Sequence, residues 1–155
     1  VSRLERNKGY HVLIEALAAC ARIVLLGDVS EPPDPQHATY RRIGERAGSL
    51  ADRLLVVGSM FRGYRPGARA AGMPAEHIVR AGDTPHEAAE RLTAMLEPGD
   101  VVLVKGRDTQ RLARVSLALQ GRKVGCDIRA CHLRTVSCDA CPMLESGWGS
   151  RRVVT

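Results

Sequence analysis

A chain of 155 residues can bury one sizeable core but not two independent enzymatic domains. Its formal charge of +6 suits an acidic partner, yet aromatics are only 3% of the chain, too few stacking platforms to expect a nucleic acid. No charged start leads into an apolar segment and no apolar run approaches the roughly 20 residues of a membrane span, so the expectation is a cytoplasmic protein with no membrane partner.

In chain order, "YHVLIEALAAC" (10–20) has helical spacing, and "RIVLLG" (22–27) is a short aliphatic run stopped by glycine. "PQHATYRRIGERAG" (35–48) is again helical, followed by the aliphatic run "RLLVVG" (53–58). "YRPGARAAGM" (64–73), "EHIVRAG" (76–82), "PHEAAERLTAML" (85–96), "DVVLVKG" (100–106) and "DTQRLARVSLAL" (108–119) continue the alternation. The aliphatic runs have the composition of strands buried on both faces. Strand followed by helix, repeated, predicts a doubly wound, mostly parallel, Rossmann-like α/β sheet. Asp83 or Thr84 can cap the helix that Pro85 opens, with Glu87 in its first turn.

The apolar rhythm stops after Leu119, and four of the five cysteines follow. The division expected is an α/β domain over residues 1–121 and a small cysteine-rich extension over 122–155. Charge is uneven too: Arg107 to Thr155 holds nine basic and four acidic residues, a balance of +5, so an acidic partner would meet that end.

Open α/β sheets bind ligands outside the carboxyl ends of their strands. Three such ends carry useful groups: "GDVSE" (27–31), "GSMFRG" (58–63) and "KGRD" (105–108). Asp28, Glu31, Arg62, Lys105, Arg107 and Asp108 would line one edge, with Gly27, Gly58 and Gly106 allowing tight turns or close approach. The alternative at each site is a glycine that ends a strand beside solvated charges. The chain has no G-x-x-x-x-G-K-[ST] and no G-x-G-x-x-G after a strand, so it lacks a phosphate-binding loop of its own. It also has no G-x-S-x-G, and its five histidines pair with no evident nucleophile.

The order "ARIVLLGDVSE", "QHATYRRIGERAG", "ADRLLVVG" and "PHEAAERLTAMLEPGDVVLVKGRDTQRLARV" resembles the C-terminal domain of the Mur ligases, closest to the branch that adds D-alanyl-D-alanine to a muramoyl tripeptide. The resemblance covers roughly residues 10 to 117 and rests most on "GDVVLVKG", and on "LLGD" with His37 and Gly44 downstream. It implies a domain that closes over a central ATPase domain, of the same or another chain, where ATP and Mg²⁺ are mainly held. ATP hydrolysis there drives amide formation through an acyl phosphate, with an amino acid or peptide as the incoming partner. Lys105 would lie near the closing interface and meet a carboxylate or phosphate; the alternative is a strand-end lysine whose stem covers apolar surface. Asp28, Glu31, His37, Lys105 and Arg107 become candidates for substrate or interdomain contact. The match has departures: "KGRD" stands where the family has "KGSR", "EPP" where it has "ELG", and of its nucleotide-contacting Asp/Tyr/Asn-Pro motif only Asn7 remains as a remnant. Reduced, altered or lost ligase chemistry, or a non-catalytic binding or scaffold module with a structural metal site and a basic partner-binding end, is the competing expectation.

Cys126, Cys131, Cys138 and Cys141 are spaced C-x4-C-x6-C-x2-C. Two short-spaced pairs suit tetrahedral zinc in a closed, structural site. An iron–sulfur cluster uses the same residue type, a disulfide would need an oxidising compartment, and four free thiols within 16 residues are the bland alternative. Cys20 reads as a core residue of its helix.

Overall fold

The computed structural model describes residues 21–155. The helix expected over 10–20, with Cys20, and the remnant Asn7 fall outside them.

Four strands form one parallel sheet: β1 (Arg22–Leu26), β2 (Arg53–Val57), β3 (Ile78–Gly82) and β4 (Val101–Lys105), in the spatial order β3-β2-β1-β4. At the centre Leu25 stands opposite Leu55 of β2 and Val104 of β4. Alternate side chains enter two separate cores. On one face Leu26, Leu54, Val56 and Ile78 pack under α1 (Gln36–Leu50) and α2 (Phe61–Ala70). On the other, Ile23, Leu25, Leu55, Val57 and Ala81 meet α3 (Pro85–Thr93) and α4 (Ala113–Leu119). Leu25, Leu54, Leu55 and Leu92 are fully buried, each stabilising the fold by roughly 1.5–3 kcal/mol. The fold is the expected helix-covered, Rossmann-like α/β sheet.

The local chemistry explains the helix ends. Thr84 accepts from the Glu87 N–H at 3.2 Å while the Glu87 carboxylate accepts from the Thr84 N–H at 2.9 Å, a reciprocal cap behind Pro85. α1 and α2 approach almost backbone to backbone, because a Cβ at Gly44 would strike the Tyr64 carbonyl and one at Gly67 the Arg41 carbonyl. α4 is shorter than the helix expected over 108–119. Arg111 adopts a left-handed φ of 50°, which separates a 3-10 turn at Asp108–Gln110 from the helix proper.

One expectation is corrected. β4 is not buried on both faces: among the described residues it pairs only with β1, and Leu103 is 59% exposed. Val102 and Val104 face the α3/α4 core, and among the described residues α1 and α2 lie over β1–β3 and not over the side carrying Leu103 and Lys105. Lys105 is therefore an exposed side chain on an edge strand.

Residues 122–155 carry a two-stranded parallel pair, β5 (Ala130–Cys131) with β6 (Val153–Val154). Cys126, Ile128 and Val154 form its small core, with Cys131, Leu133 and Trp148 packed around it. It rests against the sheet domain through α4 and the 3-10 turn at Asp108–Gln110. Among the described residues no helix is long and apolar enough to cross a membrane.

Candidate functional site

The strand order reverses between β1 and β4, and the crevice beyond their carboxyl ends is where such a sheet offers a site. The turn after β1 is held there by its backbone. The Gly27 N–H donates to the Lys105 carbonyl at 2.8 Å, and the Arg107 N–H donates to the Asp28 carbonyl at 2.8 Å. The Asp28 N–H donates to Gln110 Oε1 at 2.7 Å, and Val29 N–H to the Tyr40 hydroxyl at 3.1 Å. The buried Tyr64 hydroxyl donates to the Gly27 carbonyl at 2.6 Å, with the two tyrosine rings edge to face at 4.9 Å. Burial, reinforced by Tyr40 and Asp28, pushes the Tyr64 hydroxyl well above its usual range, so it stays a neutral donor.

With the backbone satisfied, the Asp28 carboxylate is left over. Its side chain is only 15% exposed; Oδ2 lies 3.8 Å from Arg107 Nη2, and the buried Oδ1 has no hydrogen-bond partner among the described residues. Burial raises the Asp28 carboxyl above its ordinary value, and the Arg107 guanidinium pulls partly the other way. Glycines let the Gln110 side chain and the neighbouring turns pack closely around Asp28. A Cβ on Gly27 or Gly106 would press on the Gln110 side chain, and Gly58, at φ 99°, sits where a Cβ would lie 3.2 Å from Asp28 Oδ1. Chemically this is an under-satisfied acceptor beside a partly exposed cation. It suits a ligand that brings a donor or positive charge to Asp28 and an anion to Arg107.

Of the candidates named from sequence, the structure brings together Asp28 and Arg107. Lys105 joins through its backbone, its side chain exposed on the open side of β4. Glu31 (φ 45°), His37 in the first turn of α1 and Arg62 on α2 are exposed, and among the described residues no hydrogen bond or ion pair ties them to Asp28. Arg62 lies in a separate hollow with Phe61 and Arg65. Asp108 is 68% exposed and pairs with Arg111 at 3.4 Å. A hollow of about 640 Å³ lies against β3 and α3 between Arg80, Glu87 and Arg91; it shares no residue with the Asp28 group.

Sequence reasoning missed Gln110, Tyr64 and Tyr40, which hold the loop. Their signal is faint: a lone glutamine in a helical-looking run, and two tyrosines on separate helices.

Cys126 is buried and Cys131, Cys138 and Cys141 half-buried, all four as free thiols. Among the described residues no three His, Cys, Asp or Glu side chains form a cluster already set to hold a metal ion.

Comparison with known proteins adds three findings. The family described as "Mur ligase, glutamate ligase domain" matches residues 8–107. A UPF0102 protein of Methylorubrum populi is 35% identical over 94 residues, covering 59% of this chain and 73% of that protein. No solved structure matches.

Proposed function

The chain belongs to the Mur ligase, glutamate ligase domain family, and on that premise we propose that it serves as the substrate-side domain of an ATP-dependent ligase that forms an amide bond. Its partner is a P-loop ATPase domain, in the same polypeptide or another, that holds ATP and Mg²⁺; the substrates are a peptidoglycan-precursor-like acid and an incoming amino acid or peptide. One observation supports this most: the orphaned, buried Asp28 Oδ1 at the reversal of the sheet, beside Arg107. An ammonium of the incoming substrate meets the need of Asp28, and its carboxylate the need of Arg107, which orients the amine for attack. Lys105, on an edge strand and solvated when alone, is placed to meet a negative group on the facing domain as the cleft closes. Binding energy released only on closure is well spent on the reaction itself. The test is amine-dependent ADP release by the protein that carries both domains, across free amino acids and dipeptides. Release that is independent of every amine would remove the proposal.

A further inference from the structure

The sequence places four cysteines in the extension, and the fold ties the loops that carry them. The Leu144 carbonyl accepts from the N–H groups of both Gly125 (2.8 Å) and Cys126 (2.9 Å), while the Leu144 N–H donates to the Cys141 carbonyl at 3.0 Å. The loop of Cys126 is thereby fastened to that of Cys141. Cys138 and Cys141 close one tight turn, with the Cys141 N–H donating to the Cys138 carbonyl at 3.2 Å. Cys131 lies in β5 and packs beside Cys126 in the small core.

Into this group points a buried cation. Arg114 of α4 is 1% exposed. Its Nη1 donates to the Cys126 carbonyl at 2.8 Å and to Cys126 Sγ at 3.2 Å; its Nη2 donates to the Gln110 and Ile128 carbonyls at 3.0 and 2.7 Å, and its Nε to the Arg111 carbonyl at 3.2 Å. Every donor direction is used, yet no carboxylate pairs with Arg114 among the described residues. A guanidinium sealed from water without a counter-charge is costly. The nearest group able to carry negative charge is the Cys126 sulfur. A second arginine, Arg111, is 15% exposed at its side chain, bonds the Leu133 carbonyl, and pairs only with the exposed Asp108.

We propose that Cys126, Cys131, Cys138 and Cys141 bind one zinc ion as thiolates, with the buried Arg114 and the half-buried Arg111 balancing the charge of the complex. Four thiolates around Zn²⁺ carry a net charge of −2, which two guanidinium groups neutralise. The bond from Arg114 to Cys126 Sγ then becomes the outer-shell contact that orients a ligand. Binding displaces up to four thiol protons to solvent and leaves no open position on the metal, so the site is structural. The thiol side chains turn inward to meet the ion, on loops whose backbones are already joined. The metal accounts for order in a segment with two-residue strands and a core of Cys126, Ile128 and Val154, too little apolar material to hold itself. This inference is independent of the ligase reading.

The test uses the full chain purified without added metal. Elemental analysis and alkylation mapped by peptide mass are expected to show one zinc per chain, with Cys126, Cys131, Cys138 and Cys141 protected until a strong chelator is added. A metal-free native chain whose four cysteines all alkylate overturns the proposal, as does iron with visible absorbance or a disulfide among them. Arg111→Met, at a side chain that retains solvent contact, is expected to weaken zinc at least about tenfold in a chelator competition. Unchanged affinity in that variant overturns the charge-balancing role.

Discussion

Replacing Asp28 by asparagine should stabilise the protein while damaging its function. The carboxylate is largely buried, one oxygen has no partner, and its only cation is 3.8 Å away on a side chain that is itself 42% exposed. An unsatisfied buried acceptor costs about 1–3 kcal/mol, whereas a pair with an exposed arginine returns about 0–1 kcal/mol. The neutral amide keeps the shape and removes the buried charge, so Asp28→Asn should gain about 1 kcal/mol at pH 7, a rise in melting temperature of about 2–4 °C. The sign has a pH signature. Because the folded carboxyl titrates above its ordinary value of 3.8, the native state holds the proton more tightly than the unfolded chain, and stability falls as pH rises through the folded pKa. The advantage of the variant should therefore be full at neutral pH and vanish below pH 3.8. Thermal unfolding of both proteins from pH 3 to 8 measures it. A variant that melts lower than wild type at pH 7, or an advantage that persists unchanged into acid, would refute the reasoning.

The exposed edge position of Lys105 predicts that Lys105→Ala leaves the melting temperature within about 1 °C but lowers amine-dependent turnover in the two-domain protein; unchanged turnover counts against a role in closure. Lacking a phosphate loop, the chain alone should show no micromolar affinity for Mg-ATP by calorimetry. Thr84→Ala removes one side of the reciprocal cap of α3 and should cost about 1 kcal/mol by chemical denaturation. Glu87 lies below its ordinary value because the Asp83 and Thr84 N–H groups donate to it, so its contribution is present above pH 4.5 and lost as pH falls through the lowered value; Glu87→Gln should flatten that part of the acid unfolding curve.

The strands were readable because each is an aliphatic run ended by glycine or a turn, and the cap of α3 because Thr84, Pro85 and Glu87 stand at the required spacing. What sequence could not supply is neighbourhood. "VVLVK" has the composition of a central strand, but among the described residues the crossovers put it at the sheet edge, with Leu103 and Lys105 exposed. Asp28 was visible as a charged residue after a strand; that its Oδ1 is sealed and partnerless depends on Gln110, Tyr64 and Gly58, which arrive from three other segments. Nothing in the sequence singles out Arg114 from the other arginines, which are almost never fully buried, and only the docking of the extension encloses it. The four cysteines could be named from their spacing, whereas the contact of the buried Arg114 with Cys126 could not.

The central claim is that this chain completes an amide-forming ligase, and product analysis tests it most directly. The two-domain protein is incubated with Mg-ATP, a muramoyl-peptide acid and D-alanyl-D-alanine, and mass spectrometry counts condensed product against ADP. The account predicts one new amide bond per ADP in the wild type and a loss of both together in Asp28→Asn. ADP formed without any condensed product, for this dipeptide and for every other amine offered, would contradict it.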